Sequence, residues 1–121
     1  MNYLDPASPR ARFHLKALED ELKTPDGLFY RYKQDEKGTP ETSFLVCAFW
    51  YAEALACTGR LDEACGLIDK LLAYSNHLGL YSEDADFSGG QWGNFPQTYS
   101  HVGFINAVYR ISMKLDKPIF Y

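Results

Sequence analysis

At 121 residues, 46% hydrophobic and 23% charged, the chain has the length and balance of one soluble globular domain able to bury a core. Its longest strongly apolar stretch, Phe44 to Ala52, falls well short of the roughly 18 residues a membrane span needs, so no span is expected. The net charge of -4 carries no basic block, because lysines and arginines alternate with acids and aromatics, and this argues against nucleic acid as a partner.

The first fifteen residues show no apolar run after a basic start, which reads against a secretory leader and sets a cytoplasmic expectation. Ser8-Pro9 then opens a helix expected near 9 to 23, with Ala11, Leu15, Leu18 and Leu22 on one face and charges on the other. Thr24-Pro25-Asp26-Gly27 ends it, Leu28 to Tyr32 reads as a short extended piece, and Gln34 to Thr39 as a polar loop. A second helix, near 43 to 57, is apolar almost all round with Glu53 as its single charge, and is expected to be buried. Gly59 punctuates the turn to a third, amphipathic helix near 61 to 76. Leu80 to Phe95 reads as a long polar and aromatic loop, and Pro96 opens a fourth, apolar helix near 96 to 113.

The order is therefore amphipathic, buried, amphipathic, buried. That alternation predicts an all-α fold of about four helices in two layers, with the second and fourth helices inside and the first and third outside, as in part of an α/α toroid or a solenoid. Phe49 to Ala64 resembles one tetratricopeptide unit and would suggest an interaction scaffold, yet no second copy appears near a 34-residue spacing.

Chemistry concentrates in the long loop. Glu83, Asp84 and Asp86 admit a solvated acidic loop or a metal site, although no EF-hand spacing follows. Trp92, Tyr99, Gln91, Asn94 and Gln97 stand beside them, and carboxylate, aromatic face and amide together are what a sugar site requires. His101 follows one turn after Gln97 as an orienting or a packing histidine. The odd cysteine count, Cys47, Cys57 and Cys65 without Cys-x-x-Cys spacing, fits reduced packed thiols rather than a disulfide framework or a zinc knuckle.

Four stretches carry a resemblance over nearly the whole chain: Asp26 to Tyr32, Ser43 to Trp50 with Glu53-Ala54-Leu55, Gly59 to Ala64, and Leu78 to Glu83 leading into Gly93-Asn94-Phe95-Pro96-Gln97-Thr98-Tyr99-Ser100-His101. Together they resemble the C-terminal third of the catalytic domain of glycoside hydrolase family 15, the glucoamylase, glucodextranase and bacterial-type trehalase group. The resemblance implies a single domain over 1 to 121 that forms part of an (α/α)6 barrel.

It also implies inverting hydrolysis of an α-glucoside oligosaccharide or trehalose by two carboxylates. Glu83 matches the general base, and the general acid falls on the upstream part of the family domain. Glu41, Trp50, Trp92, Gln97 and Tyr99 are the expected substrate contacts, with core packing as the other reading of Trp50. No metal or cofactor is expected, since proton transfer between two carboxylates needs none. The expected partners are the upstream part of the barrel or a second copy covering the inner helices. A helical interaction module or a carbohydrate-binding module is the alternative. Asp84, Ala85 and the Glu41-Thr42 step depart from the family pattern.

Overall fold

The computed structural model describes residues 4–116, so the first positions of the leader reading, Met1 to Tyr3, lie outside the described residues. Four helices dominate: α1 (Pro9–Leu22), α2 (Leu45–Cys57), α3 (Leu61–Leu72) and α4 (Thr98–Lys114). Three two-residue strands, β1 (Ser43–Phe44), β2 (Asp84–Ala85) and β3 (Gln91–Trp92), form a small antiparallel sheet in the order β1-β2-β3. Phe44 pairs with Asp84 and Asp84 with Trp92, while Ser43 pairs with Ala85 and Ala85 with Gln91. The sheet is the departure from the sequence reading, which left these positions in a helix and a loop. Strands of two residues are too short to write an alternating pattern.

Each helix end has a local cause. Ser8 caps α1 by accepting from the Ala11 amide, with Pro9 at the first helical position. α3 stops at Leu72 rather than near Asn76 because Asn76 closes its own turn, its side-chain oxygen accepting from the Leu78 and Leu80 amides, both at 2.9 Å. α4 begins at Thr98, after a cis Phe95-Pro96 bond and an extended Gln97.

The short turn Thr58-Gly59-Arg60 makes α2 and α3 antiparallel neighbours. The 73 to 97 segment then returns to the end where α2 starts: the Leu45 amide donates to the Glu83 carbonyl and the Gln97 amide to the Tyr81 carbonyl. α2 and α4 consequently run parallel, side by side. They approach so closely at Gly103 that an added Cβ would lie 3.0 Å from the Phe49 Cβ and 3.2 Å from Val46 Cγ2. Further along, Arg110 Nε meets Glu53 Oε1 at 3.3 Å.

α2 is the most buried element, with eight of its 13 residues in the core, whereas α1 buries Leu15 alone. Below the sheet lies an aromatic cluster in which Phe49 meets Tyr81 edge-on at 5.2 Å and Phe104 contacts both, at 5.7 and 5.6 Å. α4 is buried on one side only, in line with the expectation that an inner helix of this segment lacks partners unless another chain covers it. Its buried stripe is Ser100, Gly103, Ala107 and Ile111, and the stripe Tyr99, Val102, Ile105, Tyr109 and Met113 is exposed. Among the described residues α2 and, more lightly, α3 pack on this helix, and neither reaches its far side.

Candidate functional site

Residues 81 to 84 are clamped from both parallel helices. From α4 and the residue before it, the Gln97 amide donates to the Tyr81 carbonyl at 2.9 Å, the Ser100 hydroxyl donates to the Ser82 carbonyl at 2.7 Å, and His101 Nε2 accepts from the Tyr81 amide at 3.1 Å. From α2, the Leu45 amide holds the Glu83 carbonyl at 3.1 Å. Within the segment the Ser82 hydroxyl donates to the Asp84 carbonyl at 2.6 Å. His101 is thus a packing histidine with a definite task, fixing backbone two residues before Glu83.

Glu83 is half-buried and lies over Gly93, where an added Cβ would stand 2.9 Å from its Oε2 and 3.0 Å from its Cβ. Gly93 has φ +76°, so the position needs glycine twice, for its conformation and for the space. The Asn94 amide donates to Glu83 Oε2 at 3.2 Å, and the Glu83 amide donates to the Asn94 carbonyl at 2.9 Å. One carboxylate oxygen, Oε2, is held, and the other, Oε1, has no donor among the described residues.

Asp84 faces a cavity of about 400 Å3 whose lining includes Arg31, Tyr32, Glu41, Thr42 and Phe44. Burial raises the Asp84 carboxyl above its ordinary value against the hydrogen bond from the Thr42 hydroxyl, the Glu83 charge adds to the rise, and Arg31 opposes it. The Thr42 bond is 2.7 Å, and the Arg31 guanidinium lies 4.9 Å from the Phe44 ring centre. Arg31 and Thr42 were not singled out from sequence. Arg31 lies within a matched stretch, whereas only the fold brings Thr42 to Asp84.

The other expected contacts divide by position. Glu41 lines the Asp84 cavity. Trp92 pairs across the sheet with Asp84, and its indole Nε1 donates to Asp86 Oδ2 at 2.7 Å. Gln97 stands at the α4 entrance and Tyr99 in its first turn, exposed. Trp50 is elsewhere: it lines a groove of about 420 Å3 with His14, Leu15, Leu18 and Ala54, between α1 and α2. Trp50 is 57% exposed there, so it is not a core residue of the described chain. Among the described residues no three His, Cys, Asp or Glu side chains gather in a way that would hold a metal ion, and no helix is long and apolar enough to cross a membrane.

Comparison with known proteins bears on this geometry. The family model for glycosyl hydrolases family 15 matches residues 2–109. A trehalase from Thermoplasma acidophilum is 43% identical over 106 residues, covering 85% of this chain and 17% of that protein. A trehalase from Mycobacterium tuberculosis is 39% identical over 114 residues, 90% of this chain and 17% of that protein. Trehalase 1 of Sulfolobus acidocaldarius is 33% identical over 108 residues, 88% of this chain and 19% of that protein. The chain therefore spans about one-sixth of the length of the curated relatives it matches. No solved structure matches it.

Proposed function

Because the chain belongs to glycosyl hydrolases family 15, we propose that it carries the general-base half of an inverting α-glucosidase site, with trehalose or a related α-glucoside as substrate. The observation that supports this reading is the state of Glu83: a backbone clamped from two helices, one carboxylate oxygen held by the Asn94 amide, and the other without a donor among the described residues. A base that activates water needs this division, fixed in aim yet with a basic oxygen open. Asp84, Glu41 and Arg31 supply hydroxyl-binding groups in the adjoining cavity, and Trp92 supplies a ring face.

Inversion requires a second carboxyl group about 6.5 to 9.5 Å from the base, leaving room for water. In this reading that acid belongs to the portion of the family enzyme beyond this segment, and the exposed stripe of α4 packs against helices of that portion. The relatives' names supply the substrate class, since those proteins are called trehalases.

The test is complementation. A family 15 trehalase shortened by the segment this chain matches is mixed with the chain, and glucose release from trehalose is followed together with the anomer formed first. Restored activity that releases one glucose as the β-anomer, and that disappears with Glu83→Gln, is the expected result. Restored activity that survives Glu83→Gln overturns the assignment of the base.

A further inference from the structure

The hairpin that follows Glu83 holds a carboxylate that the hydrolytic reading does not use. Asp86 closes the turn between β2 and β3: its Oδ1 accepts from the Ser88 amide at 2.8 Å, the Ser88 hydroxyl at 2.6 Å and the Gly90 amide at 2.8 Å. Its other oxygen, Oδ2, accepts from the Trp92 indole at 2.7 Å. Gly90 gives the carboxylate its place, since a Cβ there would stand 2.5 Å from Oδ2.

Strand register decides what this does to Trp92. Phe44, Asp84 and Trp92 are directly paired across the sheet, so their side chains share one face. Phe44 and Asp84 both line the cavity that also contains Glu41 and Arg31. Trp92 thus stands on the cavity's side of the sheet, on its edge strand, with its ring 57% exposed. An exposed indole on an edge strand would ordinarily sample several rotamers. The bond to Asp86 is charge-assisted and removes that freedom.

We propose that Asp86 is a positioning residue that fixes the Trp92 indole as a rigid ring face beside the Asp84 cavity, pre-set for the apolar face of a pyranose. The substrate part of this inference rests on the carbohydrate reading above. The positioning part stands on the hydrogen bonds and the register. The Ser88 hydroxyl, the Trp92 indole and the Gly90 amide together hold the Asp86 carboxyl well below the ordinary carboxylate range, so the acceptor stays charged through mildly acidic conditions.

The experiment uses the chain with Trp50→Phe, leaving Trp92 as the one tryptophan, and follows its indole N–H by NMR exchange and its ring by fluorescence anisotropy. Asp86→Asn keeps an oxygen for the Ser88 and Gly90 amides but turns an amide nitrogen toward the indole. Indole exchange about tenfold faster and lower anisotropy are expected. Ser88→Ala, which loosens the same turn without touching the indole bond, is expected to leave both signals in place.

Equal indole exchange in wild type and Asp86→Asn overturns the positioning role, and so does an equal loss in Ser88→Ala, which would mean that the turn alone matters. Trehalose and glucose titrations complete the test. A sugar-dependent shift of Trp92 that weakens about tenfold in Asp86→Asn supports the substrate part, and an unchanged affinity with a freed indole overturns it. A locked indole with no sugar response overturns the carbohydrate reading while upholding the role of Asp86.

Discussion

The carboxylate of Glu83 rests on the bare Cα of Gly93, close enough that a single methyl group would meet Oε2 at 2.9 Å. Gly93→Ala is therefore expected to cost about 1 to 3 kcal/mol, from crowding added to an unfavourable left-handed φ. Urea denaturation of the two proteins measures it. The same substitution displaces Glu83, so in the complemented enzyme it is expected to lower kcat more than it raises KM.

Removing the His101 ring leaves the Tyr81 amide without its acceptor in a residue only 1% exposed. His101→Ala is expected to destabilise the chain by about 1 to 3 kcal/mol, the usual cost of a buried donor left unpaired. Hydrogen exchange localises the effect: the Tyr81 and Glu83 amides should lose protection before those in the middle of α2. Uniform loss across the chain would show that the ring acts by general packing instead.

Much of this architecture was legible because long periods leave long signatures. The helical spacing of Leu15, Leu18 and Leu22 and the unbroken apolar run around Phe49 placed α1 and α2 to within two residues. The contrast between them identified α2 as the buried helix. The motif around Glu83 singles it out as a candidate, but the way its segment is held could not be read: Ser100, His101 and Leu45 reach it only after the 73 to 97 segment has brought α4 alongside α2.

Two features depend on neighbours that a sequence does not name. Apolar residues on the outer face of α4, such as Val102 and Ile105, look like core in a sequence, because composition does not say whether a neighbour is present. Trp50 sits in the same apolar run as Phe49, yet one residue of helical rotation turns it toward α1 and away from the aromatic cluster below the sheet.

Acid sensitivity should trace in part to Glu19. Its Oε1 accepts from the Tyr51 hydroxyl at 2.6 Å and from Arg60 at 2.5 Å. Burial works to raise its carboxyl, but those two hydrogen bonds prevail and hold it below the ordinary value of 4.5. A folded pKa below the unfolded one gives stability that is present above the unfolded value and lost as pH falls through the folded one. Wild-type urea midpoints should thus fall more steeply below pH 4.5 than those of Glu19→Gln. Parallel curves would remove Glu19 from the account.

A larger residue at the crossing of α2 and α4 should separate them. Gly103→Leu drives a side chain into Phe49 and Val46, and overpacking of this kind costs about 1 to 3 kcal/mol. Thermal unfolding by circular dichroism reads the loss. Gly103→Ala should lie between wild type and leucine, because its methyl group needs the Phe49 Cβ to give by only a few tenths of an ångström.

If Glu83 is the base proposed above, the chain alone is expected to release no measurable glucose from trehalose or maltose, because inversion needs a second carboxyl group. In the complemented enzyme, Glu83→Gln should lower kcat by about 10² to 10⁴-fold. Glucose release by the purified chain, abolished by Glu83→Gln, would show that both roles are present within it.

Ser100 and His101, which aim the Glu83 segment, share one rod with Gly103, Ala107 and Ile111, which seat that rod in the core. Their angular setting about the helix axis is therefore common. Side-chain atoms stand roughly 5 Å from the axis of an α-helix, so a turn of about 20° would sweep the Ser100 hydroxyl by roughly 2 Å, enough to break its bond to Ser82. α4 acts as an axle: the fit of Gly103 against Phe49 sets the rotation, and the rotation sets where the carboxylate points. Substitutions far down the buried stripe, at Ala107 or Ile111, thus reach the Glu83 segment as a change of angle rather than of distance.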